Sequence, residues 1–442
     1  YLDGQEDEAT IEESSRLSAE QRGLFNRFRA ELDRKEWSEN DLTEALQTET
    51  DSVRLRQVWE AAKQIGAHAA GRAIARVKLA NESARALGFR DAYALGLHTS
   101  EIPEERLFDI LDQLDSATAA AYSQAKARLD ARLAERYSIA PEALRPWHYG
   151  DPFFQRPPQS AGPDLDGFFA GKDLAQMAAR TFDGLGFDVR PVLARSDLYP
   201  RPTKNQHAFC TTIEPDGSDV RILCNVVPSH RWMTTLLHEL GHAAHWEFGD
   251  RDLPMFLVSP PHGLNAESES QLFQRLSSDA RWLAGVAGVP AAEADRLGSA
   301  LFERERLSQL IMTRWSLVMA HFERAMYADP DGDLSTLWWD LVERYQMVRR
   351  PDDRHAPDWA AKIHLATHPG NYYVYILGEL AVSQIYGAMT AAAGGFYDTP
   401  AAGEFVRARV FRQGGVRDWD ATVAYATGSP LGTDAYVREW TA

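Results

Sequence analysis

Ser229-His230-Arg231-Trp232-Met233-Thr234-Thr235-Leu236-Leu237-His238-Glu239-Leu240-Gly241-His242-Ala243-Ala244 is the stretch from which the rest of the chain is read. Ser229 is an N-cap residue type, and Trp232, Leu236, Leu237, Leu240 and Ala244 recur at helical spacing on one apolar flank. His238 and His242 stand four apart, so their imidazoles leave one helical face a turn from each other. Two neutral imidazoles so placed can take two corners of a tetrahedral Zn²⁺ site. Glu239, beside the first of them, can reach a water at such a site without itself binding metal. The competing account is an ordinary helix with two surface histidines, in a chain that holds 13 His.

A catalytic zinc needs a third protein ligand and an open fourth position, which a merely structural helix does not. A Pro-rich loop over residues 259–263 lets the chain reverse before Asn265-Ala266-Glu267-Ser268-Glu269-Ser270-Gln271-Leu272-Phe273 opens the next helix. Glu267 then faces back toward the two histidines. Glu269 is the competing carboxylate, on another face of that helix. Gln271, one turn after Glu267, is either a partner for a ligand imidazole or a solvent-facing Gln.

Outward from this motif, the 442 residues carry 44% hydrophobic and 25% charged side chains, enough for a sizeable core. A net charge of -17 argues against nucleic-acid and anionic-membrane partners, because no basic stretch offsets the acidic background. No apolar run approaches the roughly 18 residues of a membrane span. The chain begins at Tyr1 with no initiator Met and no signal-like segment. Either a leader has been removed or the sequence starts inside a longer product, so periplasmic or secreted placement is favoured and the cytoplasm stays open.

Helical periodicity dominates residues 16–35, 40–64, 66–88 and 103–137, breaks at the aromatic, Pro-containing stretch Arg145 to Gln155, and resumes to about Leu185. Short extended pieces fill Phe187 to Val227, and the chain is helical again from Ser229 almost to its end. Gln206 to Val227 reads as a hairpin around Pro215-Asp216-Gly217-Ser218-Asp219. Folding it about Gly217 sets Cys210 opposite Cys224, the only two cysteines, as a cross-strand disulfide or as two free buried thiols. The acidic run Asp329 to Asp333 lacks the terminal Glu of a calcium loop and reads as a solvated turn. The expected fold is mostly α: a large helical body in two halves around a deep central cleft, with a small antiparallel β-sheet beside the zinc helix. Residues 1–442 form one catalytic domain whose N-terminal lid region is short or missing.

His-Glu-Leu-Gly-His with a Glu 29 positions after the first His resembles the gluzincin peptidases. Within them the chain is similar to the angiotensin-converting-enzyme-like peptidyl-dipeptidase family, with the thimet oligopeptidase family as near neighbour. Lys78 to Arg85, Leu185-Gly186-Phe187, Gln206-His207-Ala208, Arg251-Asp252-Leu253-Pro254, Lys362-Ile363-His364 and Tyr372-Tyr373-Val374-Tyr375 resemble further segments of that family. The resemblance implies one Zn²⁺ per chain, held by His238, His242 and Glu267, with Glu239 as base. It also implies Tyr375 and His364 as oxyanion donors and His207-Ala208 as a backbone edge for extended substrate. Gln155, Lys362 and Tyr372 would bind a free C-terminal carboxylate.

General chemistry fits each role. Tyr and His stabilise a developing oxyanion, Lys with Tyr and Gln makes a carboxylate socket, and a strand edge pairs with any peptide. Each also has a structural account: Tyr372, Tyr373 and Tyr375 as helix packing, Lys362 as a solvated charge, His364 as a satisfied histidine. Two departures matter. Val374 stands where animal members carry a chloride-binding Arg, and the third ligand lies one residue further from the first His than in animal converting enzymes, as in the oligopeptidase neighbours. The implied activity is release of C-terminal dipeptides from short peptides, Glu239 moving the proton from water to the leaving amine. The rivals are an endo-acting oligopeptidase, a carboxypeptidase and a catalytically inactive peptide-binding relative.

Overall fold

Short acidic and hydroxyl side chains mark where helices start. Ser38, Asp51, Asp91, Asp173, Ser229 and Asp333 each accept a backbone N–H from the turn that follows, pairing donors that a helix leaves orphaned. Asp333 closes the acidic run, which is therefore a turn that ends in a cap. The computed structural model describes residues 8–158, 163, 165–201, 204 and 208–441. Helices dominate, and among the described residues the strands form two antiparallel pairs.

The chain divides into two compact units, Tyr1–Ala161 with Leu307–Tyr373 and Gly162–Arg306 with Val374–Ala442. In the first unit, Ser52–Ala86 and Glu104–Tyr137 are the long helices, joined by the C-terminal part of Ala291–Ala328. Its core is rich in indoles and phenols: Trp59, Trp315, Trp338, Trp359, Tyr93 and Tyr122 are all fully buried. The sequence breaks a helix near residue 65, but Ser52–Ala86 runs unbroken through Gly66. There a Cβ would come within 2.5 Å of the Pro357 carbonyl, so the glycine serves close packing rather than a helix end. A small hairpin, Ala30–Leu32 with Lys35–Trp37, replaces the expected end of the first helix. Its arms are charged, and its turn residues Asp33 and Arg34 both adopt positive φ without a glycine to announce it.

In the second unit, the helices Leu174–Asp183, His230–Phe248 and Gly263–Gln274 pack around a phenylalanine cluster. Phe273 stacks on Phe182 at 4.8 Å and on Phe411 at 6.2 Å, anchoring the third of these helices. Arg190–Arg195, expected to be extended, is a short helix with Pro191 in its first turn. The strand pair Phe209–Thr212 and Val220–Leu223 lies against the His230–Phe248 helix, as expected. Its register differs, however. Ile213 donates to the Asp219 carbonyl, so the hairpin turns about Asp216 and Cys210 faces Ile222. Cys224 lies two residues further along, and both cysteines are free thiols. Of the two alternatives the sequence left open, free thiols are the one found, with Cys224 buried and Cys210 half-buried. Gly217 keeps a different duty, with φ +72° and the Trp246 ring where a Cβ would project.

Candidate metal centre and lysine cluster

The motif helix His230–Phe248 and the following helix Gly263–Gln274 cross at a glycine. A Cβ on Gly241 would sit 2.7 Å from Ser270 Cα and 3.1 Å from the Glu269 carbonyl, so a bare backbone is required inside the motif itself. Gly378, on the helix Tyr373–Ala393, does the same from the other side: its Cβ would lie 2.8 Å from Gln271 Oε1 and 3.2 Å from Glu267 Cβ. The helix that carries Glu267 is thereby gripped between two glycine contacts. Neither glycine stands out in the sequence, because only the partner helix makes it necessary.

That crossing brings the side chains together. His238 Nε2 lies 3.8 Å from Glu267 Oε2, and His242 Nε2 lies 3.9 Å from Glu267 Oε1. Four-coordinate zinc at its usual bond lengths holds ligand atoms roughly 3.3 Å apart. The three groups, whose ligand atoms all lie within 4.8 Å of one another, therefore fit a metal ion with small inward movement. The far side of each imidazole is also tied. His238 Nδ1 meets Gln274 Oε1 at 3.0 Å, which assigns the proton to Nδ1 and turns the Nε2 lone pair toward Glu267. His242 donates to the Ala266 carbonyl. Gln271, the partner suggested by the sequence, is buried but gives its amide to the Tyr375 carbonyl at 3.4 Å instead. Gln274 stands seven residues after Glu267, two turns along one face, and that spacing was the available signal.

Electrostatics suit a cation. Burial holds His238 down to about 4, and burial with the His238 and His245 charges holds His242 down to about 3, so both rings are neutral ligands. Burial, then the Glu379 charge, pushes Glu267 up to about 7. Burial, then Glu267, pushes Glu239 up to about 8. Glu239 is 5% exposed, and its Oε2 has no hydrogen-bond partner among the described residues. The neighbouring charges are balanced elsewhere: Arg275 contacts Glu379 at 3.1 Å and Glu439 at 3.0 Å. Glu269, the competing carboxylate, meets His245 Nδ1 at 3.0 Å, while His245 Nε2 meets the Val258 carbonyl at 2.9 Å. An acceptor at each nitrogen suits a charged ring: burial works against that charge, and Glu269 with the Val258 carbonyl outweighs it, raising the His245 pKa. This pair fastens the motif helix to the next helix and to the loop after it.

In the first unit a second polar cluster is set among rings. Lys362 Nζ donates to Gln155 Oε1 at 2.6 Å, and Gln155 Nε2 reaches Asp151 Oδ2 at 3.2 Å. The ammonium also lies 5.4 Å from the Trp315 ring and 5.9 Å from that of Tyr372. Tyr372 accepts from Trp315 Nε1 at 2.7 Å and meets His364 edge-on at 5.2 Å. Burial lowers Lys362 to about 8. A second amine, Lys63, sits 3.3 Å over Phe153 and 5.2 Å from Trp59; burial lowers it to about 7. In sequence, Lys63 looks like an ordinary charge on a long helix.

Among the other singled-out residues, Tyr375 is half-buried on the helix that crosses Glu267. Ala208 directly precedes the strand Phe209–Thr212, and His207 lies outside the described residues. A model of peptidase family M3 matches residues 193–441, a span that includes His238 to His242, Glu267, Lys362, Tyr372 and Tyr375. No curated protein matches the chain.

Proposed function

The chain belongs to peptidase family M3 and is a zinc metallopeptidase acting on peptides, and from that premise we propose that it releases dipeptides from the free C-terminus of short peptides. In this proposal His238, His242 and Glu267 hold one zinc ion per chain. When bound, zinc supplies Lewis acidity toward a water and a peptide carbonyl. Glu239, whose buried Oε2 has no partner among the described residues, takes the proton of the attacking water and delivers it to the departing amine. Tyr375 and His364 donate to the developing oxyanion, and the backbone at His207 and Ala208 pairs with extended substrate. Both units belong to one catalytic domain, residues 1–442.

The observation that carries the dipeptidase reading is the 2.6 Å contact between Lys362 and Gln155 beside Tyr372. A buried ammonium oriented by an amide, with a phenol nearby, is suited to a carboxylate that arrives with the substrate. The family favours a second reading. M3 is the thimet oligopeptidase side of the sequence resemblance, as the 29-residue spacing from His238 to Glu267 also suggests, and that supports internal cleavage. The intact pair of histidines, base and third carboxylate speaks against an inactive relative.

One defined decapeptide, offered with a free and with an amidated C-terminus, separates these readings. Successive loss of residue pairs, from the free acid in strong preference to the amide, is the expected product pattern. Internal cuts in both peptides would replace it with the oligopeptidase, and single-residue losses with a carboxypeptidase.

A further inference from the structure

Glu323 is fully buried in the first unit, on the helix Ala291–Ala328, and takes part in none of the chemistry above. Its carboxylate accepts backbone N–H bonds from Gly370 at 2.9 Å and Tyr372 at 3.1 Å, with Asn371 between them as a third donor. Those are the last residues before the helix Tyr373–Ala393, whose unpaired first N–H groups and dipole favour a negative charge. Two other residues of the Ala291–Ala328 helix grip the same turn. Tyr327 donates its hydroxyl to the Pro369 carbonyl at 3.1 Å, and Trp315 donates to the Tyr372 hydroxyl. The Tyr327 ring also packs where a Cβ on Gly370 would fall, at 3.2 Å, in a residue whose φ of +96° only glycine adopts with ease. Tyr372 is thus held at its backbone by Glu323 and at its tip by Trp315.

Among the described residues, no ammonium or guanidinium pairs with the charged form of Glu323. The titratable groups that face it are the phenols of Tyr93, Tyr327 and Tyr373. Burial pushes its carboxyl up to about 7, against the three backbone donors that pull it down. We infer that Glu323 is a positioning residue for substrate: as a carboxylate it fixes the turn Gly370–Tyr372 and so sets the Tyr372 hydroxyl beside Lys362 for reading a C-terminal carboxylate. This rests on the carboxylate-socket reading above. Protonation would leave three N–H donors competing for fewer lone pairs, loosening the turn and the socket with it.

Glu323→Gln, assayed as the zinc-loaded enzyme on a matched pair of free-acid and amidated peptides, tests it. The expected result is a KM for the free acid raised about tenfold, with kcat within twofold, zinc content full and the amide's constants unchanged. In the wild type the ratio of free-acid to amide KM should climb as pH falls from 8 to 6. Loss of the Lys362 and Lys63 charges would act in the opposite direction, at rising pH, and the substrate carboxylate titrates far below this range. A flat ratio in the wild type overturns the inference even if Glu323→Gln does not fold. Lys362→Ala separates this failure from that of the socket. If it abolishes the free-acid preference while Glu323→Gln keeps it, Glu323 alone is misassigned. If the wild type has no such preference for Lys362→Ala to lose, the socket reading falls and this inference with it.

Discussion

In the second unit, buried Glu239 and half-buried Glu267 stand beside two neutral imidazoles, and the Glu267 charge raises the cost of charging Glu239. In the first unit, Lys63 and Lys362 are buried among Phe153, Trp59, Trp315 and Tyr372, where burial works against their charge. The two clusters are charge problems of opposite sign. Nearby counter-charges are spent elsewhere in the second unit, Arg275 on Glu379 and Glu439, and His245 on Glu269. What remains asks for a cation. The lysine cluster instead keeps a partial remedy in Asp151, reached through Gln155, and its amines are cushioned by ring faces. Such a site suits an anion that comes and goes, whereas the carboxylate site suits a resident ion.

The contrast breaks first if Glu239 proves dispensable. Glu239→Gln should retain stoichiometric zinc by metal analysis while peptide turnover falls by roughly a thousandfold or more. The division of labour between the two acidic residues comes next. Glu267→Ala should lose zinc on dialysis against a weak chelator. Glu269→Ala should keep it but lower unfolding stability by about 3–5 kcal/mol, because the buried His245 loses its charge partner and keeps only the Val258 carbonyl. The reverse pattern would exchange their roles.

A smaller effect sharpens the support around the metal. Gln274→Ala should weaken zinc affinity by roughly tenfold in a chelator competition, while Gln271→Ala should not, since the His238 ring then loses its fixed tautomer only in the first case. The smallest effect concerns the amines. Lys63 has a folded pKa of about 7 against 10.5 in the unfolded chain, so between those values the unfolded state binds the extra proton. Stability should therefore rise with pH across that window. Lys63→Met should reduce that slope to the part Lys362 contributes and stabilise the protein at pH 7 by on the order of 2 kcal/mol. Denaturant melts of both proteins from pH 6.5 to 10 would reveal it, and parallel slopes would rule it out.

Local chemistry made much of this chain legible. A four-residue spacing determines that His238 and His242 share a helix face, whatever that helix packs on. Ser229 starts it, alternating polarity marks the helices, and the hairpin announces itself through its turn residues. What the sequence could not supply is anything that depends on a second element. Whether the hairpin turns on Asp216 or Gly217 is a two-residue shift that leaves each side chain on its own face, so alternation along the strands cannot choose between them, and it separates facing cysteines from two thiols. Gly66, Gly241 and Gly378 look interchangeable with any other glycine until a neighbouring element arrives at contact distance. The same holds for the polar groups. A Gln at 274 rather than 271, a Lys at 63 and a Glu at 323 are surface-like letters in sequence, and only packing removes them from water. Residue type and spacing determine what a side chain can do, being properties of one segment. Which partner it meets, and with what charge, is set by burial, and burial belongs to the tertiary structure.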